Sequence, residues 1–156
     1  MADTHINEQR LLLIEKVLLL KSLSIFEETP ETVLAEVAEI LEEEEFEAGK
    51  NIFQSGDIAH CMYVIFKGEV KIHKGNHTLA LLKENDFFGE LSLLDTETRS
   101  ASATANTETL LLKIDQEPFY ELMENRIEVA KGIIKTLCRR LKAQNEKSLQ
   151  QKTNQS

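Results

Sequence analysis

Residues 87–104 read Phe-Phe-Gly-Glu-Leu-Ser-Leu-Leu-Asp-Thr-Glu-Thr-Arg-Ser-Ala-Ser-Ala-Thr. The apolar pair Phe87-Phe88 ends in Gly89, a residue at which a chain turns in either hand without steric cost. Glu90 follows and opens the run Glu90-Leu91-Ser92-Leu93-Leu94, enough for one or two helical turns. Nine positions after Glu90 stands Arg99, followed only by the small residues Ser100, Ala101, Ser102 and Ala103. Such a place suits an anion. N–H groups at the start of a short helix point outward unpaired, and the helix dipole favours negative charge there. The Arg99 guanidinium matches a phosphate through two parallel charge-assisted hydrogen bonds. The Glu90 carboxylate, an acceptor only when ionised, suits a sugar hydroxyl better than the phosphate. An anion clamp beside a hydroxyl acceptor points to a phosphorylated sugar.

The chain around this stretch has a β texture. Between Glu44 and Ile114 lie five of the six glycines, separating short runs rich in β-formers. Candidate strands are Glu44–Glu47, Asn51–Gln54, Met62–Phe66, Glu69–Lys74, His77–Leu82, Phe87–Phe88, Ser100–Ala105 and Glu108–Ile114. Val70 and Ile72 alternate with Lys71 and His73 in the period of a half-buried strand, and Gly75-Asn76 is a hairpin signal. Eight short strands at this spacing predict a double-sheet jelly roll or barrel. The fold class is mainly β with flanking helices.

Helical periods occupy both ends. Asn7 to Leu20 carries Leu11, Ile14 and Leu18 at helical spacing, widened by Leu12, Leu13, Val17, Leu19 and Leu20. Thr29 offers an N-cap with Pro30 at the first helical position, for a helix ending near Glu43. Pro118 opens a short helix over Gln116–Glu124. A longer one begins at Asn125 or Arg126 and runs to about Gln150, with Ala130, Ile134, Leu137 and Leu141 in a narrow coiled-coil-like stripe. The expected organisation is one domain: helices in 1–43, a jelly roll in 44–115 holding residues 87–104, helices in 116–150, and a disordered polar tail, 151–156.

Gly89-Glu90-Leu91-Ser92-Leu93 with Arg99-Ser100-Ala101 resembles the phosphate-binding cassette of cyclic nucleotide-binding domains. That family includes bacterial catabolite activators, regulatory subunits of cyclic-AMP-dependent kinase and cyclic-nucleotide-gated channels. Gly56-Asp57, Tyr63-Val64-Ile65, Lys67-Gly68-Glu69-Val70 and Asp86-Phe87-Phe88 agree in order, and the resemblance runs from about Ile25 to Lys147. It implies a regulatory module that binds a cyclic purine nucleotide, cyclic AMP favoured over cyclic GMP, with no cofactor. It assigns Glu90 to the ribose 2′-hydroxyl and Arg99 to the cyclic phosphate. Gly89, Leu91, Ser92, Ser100 and Ala101 line the same site, with backbone N–H groups of Gly89 to Ser92 and the Ser100 hydroxyl on the phosphate. Ser100 also stands where a hydroxyl reaches a guanine edge, so it does not separate the two nucleotides. Arg139-Arg140-Leu141 and Glu146-Lys147 look like the activators' C-terminal helix, which is there a lid on the nucleotide and a dimer interface. That register places Gln144 and Asn145 at the base. The helix-turn-helix of the activators has no counterpart after this helix. The expected output is therefore a partner protein, or an effector attached to a longer polypeptide such as a channel, transporter or kinase.

Charge and composition narrow the alternatives. The chain has 156 residues and a net charge of −9, from 18 basic and 27 acidic side chains. Ten carboxylates and no base fall between Glu27 and Glu47, whereas seven bases and one acid fall between Lys131 and Ser156. Overall acidity speaks against a nucleic-acid partner, and a basic helix face is commonly just solvated. Cys61 and Cys138 lie far apart, which suits a reducing compartment. Leu11–Leu20 is too short to span a bilayer, no signal peptide is visible, and the chain reads as cytoplasmic. His73 and His77 face one another across a turn and read as solvated hairpin residues, not a metal site. An enzyme is disfavoured, because no nucleophile, metal cluster or second placed acid accompanies Glu90. Two readings stay open: a nucleotide sensor, and an interaction or dimerisation module of the same fold with an empty or differently liganded pocket. In the second, Gly89 is a turn glycine and Arg99 the salt-bridge partner of Glu90.

Overall fold

The computed structural model describes residues 12–154. They divide into two compact units: Val37–Leu122, largely β, and a helical unit drawn from residues up to Glu36 and from Met123 onward.

The β unit contains β1 (Glu42–Phe46), β2 (Asn51–Phe53), β3 (Ile58–Ala59), β4 (Cys61–Lys67), β5 (Val70–Lys74), β6 (His77–Leu82), β7 (Phe87–Phe88), β8 (Glu97–Thr98), β9 (Ser102–Ala105) and β10 (Thr109–Asp115). Two four-stranded antiparallel sheets, β1-β10-β4-β7 and β2-β9-β5-β6, form the double-sheet jelly roll. These eight strands correspond to the eight runs read in the sequence. β3 and β8 were not among them: they pair only with one another, Ile58 with Thr98 and Ala59 with Glu97. Two-residue strands are too short to show a period.

Alternation along β4 puts Cys61, Tyr63 and Ile65 in one buried cluster with Val70, Phe88, Ala103 and Leu111, against which Phe46, Ile52, Phe53, Ile72 and Leu82 pack. Each large apolar side chain fully buried there contributes roughly 1.5–3 kcal/mol. β1 corrects the expected helix boundary, for the helix before it ends at Glu39 and the glutamate run Glu42–Glu45 is strand. Tertiary charge overrides poor local propensity. Lys113 on β10 stands opposite Glu42, with Nζ 2.9 Å from Glu44 and 3.4 Å from Glu42.

The helical unit contains α1 (Leu13–Ser22), a 3-10 turn (Ser24–Phe26), the first part of α2 (Glu31–Glu39), the end of α4 (Gln116–Asn125) and α5 (Ile127–Asn154). The expected helix from Asn7 begins outside the described residues. α5 buries Val129, Gly132, Ile133 and Thr136, and the Thr136 hydroxyl donates to the carbonyls of Gly132 and Ser24 at 3.1 and 3.4 Å. The expected Thr29 cap is not made by its hydroxyl, which is buried without a hydrogen bond and lies 3.0 Å from where a Gly132 Cβ would stand. Instead, the Pro30 carbonyl accepts from the N–H groups of Val33 and Leu34. α5 continues past Gln150 to Asn154, through four of the residues expected to be a disordered tail. Lys152 complements the dipole of that last turn. Every residue of α5 from Leu141 onward is exposed. No helix among the described residues is long and apolar enough to cross a membrane.

Candidate functional site

β7 delivers the chain to Gly89, which adopts φ +79° and caps the five-residue helix α3 (Glu90–Leu94). Glycine is required there twice over. The left-handed backbone disfavours a side chain, and a Cβ would stand 2.5 Å from Arg99 Nη1 and 3.1 Å from the Cys61 carbonyl oxygen. Arg99 itself is pinned by its backbone: its N–H donates to Asp57 O and its carbonyl accepts from Gly56 N–H, both at 2.8 Å. This reciprocal pair prolongs the β3–β8 ladder, so the two strands invisible in the sequence are those that place the arginine.

The guanidinium rests on neutral groups. Nη2 donates to the Cys61 carbonyl at 3.1 Å and approaches Cys61 Sγ at 3.5 Å, while Nη1 donates to the Ser92 hydroxyl at 3.4 Å. Its carbon lies 4.1 Å from the centre of the Phe53 ring. Among the described residues Arg99 makes no ion pair with a carboxylate, and this does not fit the reading of Arg99 as the salt-bridge partner of Glu90. Phe53 belongs to a stack with Tyr63 and Phe88, at centroid separations of 6.2 Å and 5.9 Å; Tyr63 and Phe88, paired across β4 and β7, are 5.2 Å apart. Burial pushes both the Cys61 thiol and the Tyr63 phenol up, so both stay neutral beside the cation.

A cavity of about 310 Å³ opens beside this cation, lined by Phe53, Ile72, Phe88, Gly89, Glu90, Leu91, Ser92, Glu97, Thr98, Arg99, Ser100 and Ala101. The seven cassette residues singled out in the sequence therefore share one cavity. Glu90 is half-buried at its wall and Ser100 is exposed at its rim. One expected donor is spent, since the Ser92 N–H donates to the Gly89 carbonyl at 3.1 Å within the turn. Ser92 is buried and contributes its hydroxyl to Arg99 instead. Gln144 and Asn145 belong to the helical unit, on the exposed stretch of α5. Sequence reading missed Phe53, Ile72 and the Cys61 carbonyl. The one signal available was the aromatic Phe53 just before Gly56-Asp57, and it identifies no partner by itself.

No group of three His, Cys, Asp or Glu side chains among the described residues is placed to hold a metal ion. His73 is committed within its sheet: Nδ1 donates to the Gly75 carbonyl and Nε2 accepts from the Thr104 hydroxyl, both at 2.8 Å. What the cavity offers is one fixed cation, the carboxylates of Glu90 and Glu97 and an apolar wall, a set of groups suited to an anionic polyol.

Residues 43–126, more than half of the chain, match the family model described as cyclic nucleotide-binding domain. The chain belongs to that family. This cyclic nucleotide-binding domain is 40% identical over 99 residues to the Cyclic AMP receptor protein of Thermus thermophilus, covering 60% of this chain and 46% of that one. It is 35% identical over 112 residues to a cAMP-dependent protein kinase regulatory subunit of Eremothecium gossypii, covering 71% of this chain and 23% of the subunit. The chain thus spans less than half the length of either curated relative. Among solved structures, the N-terminal domain of a transcriptional regulator from Streptomyces coelicolor A3(2) superposes with a TM-score of 0.77 at 29% identity, covering 82% of this chain and 92% of that one.

Proposed function

We propose that this domain binds a cyclic purine nucleotide, cyclic AMP in preference to cyclic GMP, and that binding repositions its C-terminal helix. The observation that carries the reading is the Arg99 cation held by neutral partners in the same cavity as the Glu90 carboxylate. Arg99 takes the cyclic phosphate and Glu90 the ribose 2′-hydroxyl. The preference for cyclic AMP rests on the names of the two relatives above. Gln144 and Asn145 are proposed as base contacts on the family resemblance, because both amides donate to and accept from a base edge. Repositioning requires that the ligand bind one helix position better than another. The role is regulatory, not catalytic.

The test is calorimetric titration of the chain with cyclic AMP, cyclic GMP and 5′-AMP, alongside Arg99→Ala. Tight binding of one cyclic nucleotide is expected, weakened by roughly 2–4 kcal/mol in the variant, because a partly desolvated phosphate loses its charged partner. Glu90→Gln should cost less, since an amide oxygen still accepts from the hydroxyl. A folded chain that binds none of the three would leave an interaction module as the better reading, and an Arg99→Ala change below about tenfold would remove Arg99 as the clamp.

A further inference from the structure

Arg99 is held on three sides: Cys61 along one edge, Ser92 at Nη1, and the Phe53 ring, over which its guanidinium carbon sits. The two edge contacts are hydrogen bonds of 3.1 Å and 3.4 Å, and either hydrogen bond still allows the guanidinium plane to tilt. The ring contact adds a third constraint on the guanidinium. At 4.1 Å from ring centre to guanidinium carbon, Phe53 lies well inside the range in which a ring quadrupole attracts a cation. Phe53 in turn has little freedom, since Tyr63 and Phe88 stack against it. A bidentate grip on a phosphate depends on the plane of the fork, so the residue that fixes this plane governs the grip.

From this geometry we infer that Phe53 is a positioning residue for anion binding, acting through Arg99 by its aromatic face and not by bulk alone. The inference rests on the proposed reading of the site. It extends that reading to a residue on β2, a strand remote in sequence from the cassette. The ring also screens one face of the cation from water, which strengthens whatever the open edge binds. An aliphatic side chain of similar size would fill the space and leave the plane unfixed.

The experiment is a substitution series at Phe53 read by calorimetric titration with cyclic AMP and cyclic GMP, with thermal unfolding of each unliganded variant. Phe53→Leu should weaken binding roughly tenfold, the worth of a partly desolvated cation–ring contact, while Phe53→Tyr stays within about twofold because the face is kept. Mono-, di- and trifluorinated phenylalanine at position 53 keep the shape and progressively drain the ring quadrupole, so they report even where Phe53→Leu fails to fold. Affinity falling stepwise with fluorination at an unchanged unfolding midpoint supports the inference. A flat response across the fluorinated series, with the unsubstituted chain binding normally, overturns it and leaves the site reading intact. No binding by the folded, unsubstituted chain overturns the site reading and this inference together.

Discussion

Gly89 and Arg99 act as a fitted pair, because the space a Cβ would occupy on the first is already held by the second. Gly56 shares the left-handed backbone, at φ +96°, but has nothing within 4 Å of its missing Cβ. Alanine at the two positions separates strain from collision. Gly56→Ala is expected to cost about 1–2 kcal/mol of stability from backbone strain and to leave affinity near wild type. Gly89→Ala carries the same strain and also displaces the guanidinium, so its affinity loss should approach that of Arg99→Ala. Chemical denaturation with calorimetric titration checks both, and equal affinity losses would refute the fitted pair. Thr29 gives the opposite expectation. Its buried hydroxyl has no partner, so Thr29→Val removes a desolvation cost and should be neutral or stabilising by up to about 1 kcal/mol. At this scale the cassette was legible because Gly89, Glu90 and Arg99 state their chemistry through residue type and spacing. Phe53 was not, since its role is a distance to a residue 46 positions away (99 − 53) that no local pattern encodes.

Among the elements, α2 and the start of α5 are tied by one ion pair. Arg126 Nε donates to Glu36 Oε2 and Nη2 to Oε1, each at 2.7 Å. The Arg126 hydrogen bonds hold the Glu36 carboxyl below its ordinary value of 4.5. A depressed folded pKa means that the pair stabilises above about pH 4.5 and that this contribution is lost as pH falls through the lower, folded value. The unfolding midpoints of wild type and Glu36→Gln should therefore differ at neutral pH and converge on acidification below 4.5. Added salt should shrink the neutral-pH difference, since the pair is exposed. The same scale shows where patterns stop informing. β5 and β6 were legible from alternation and the Gly75-Asn76 turn. β1 was legible in place but not in extent: the strand was expected from Glu44, and Glu42 and Glu43 carry no strand signal until Lys113 stands opposite them.

For the whole molecule, ligand linkage and thiol chemistry give independent readouts. A nucleotide that binds only the folded chain stabilises it by about 2.7 kcal/mol at a hundredfold excess over Kd. The midpoint should then rise by roughly 5–10 °C with the correct nucleotide and not with 5′-AMP. Cys138 is exposed and Cys61 buried, with its thiol held up by that burial. A thiol reagent should label Cys138 at once and Cys61 only on unfolding, and bound nucleotide should slow the second step. Architecture was readable at this scale from glycine spacing and the helical periods at both ends. How far the last helix runs was not, because its final turns bury nothing that would leave a hydrophobic trace. Those residues, 141–154, are all exposed and make about 20 Å of helix. Helix with so little tertiary burial melts residue by residue, not in one step. Warming should therefore give a sloping far-ultraviolet baseline ahead of the cooperative transition, and a chain ended at Arg140 should lose the slope and keep the midpoint. A flat baseline in the full chain would mean that those turns are covered in solution.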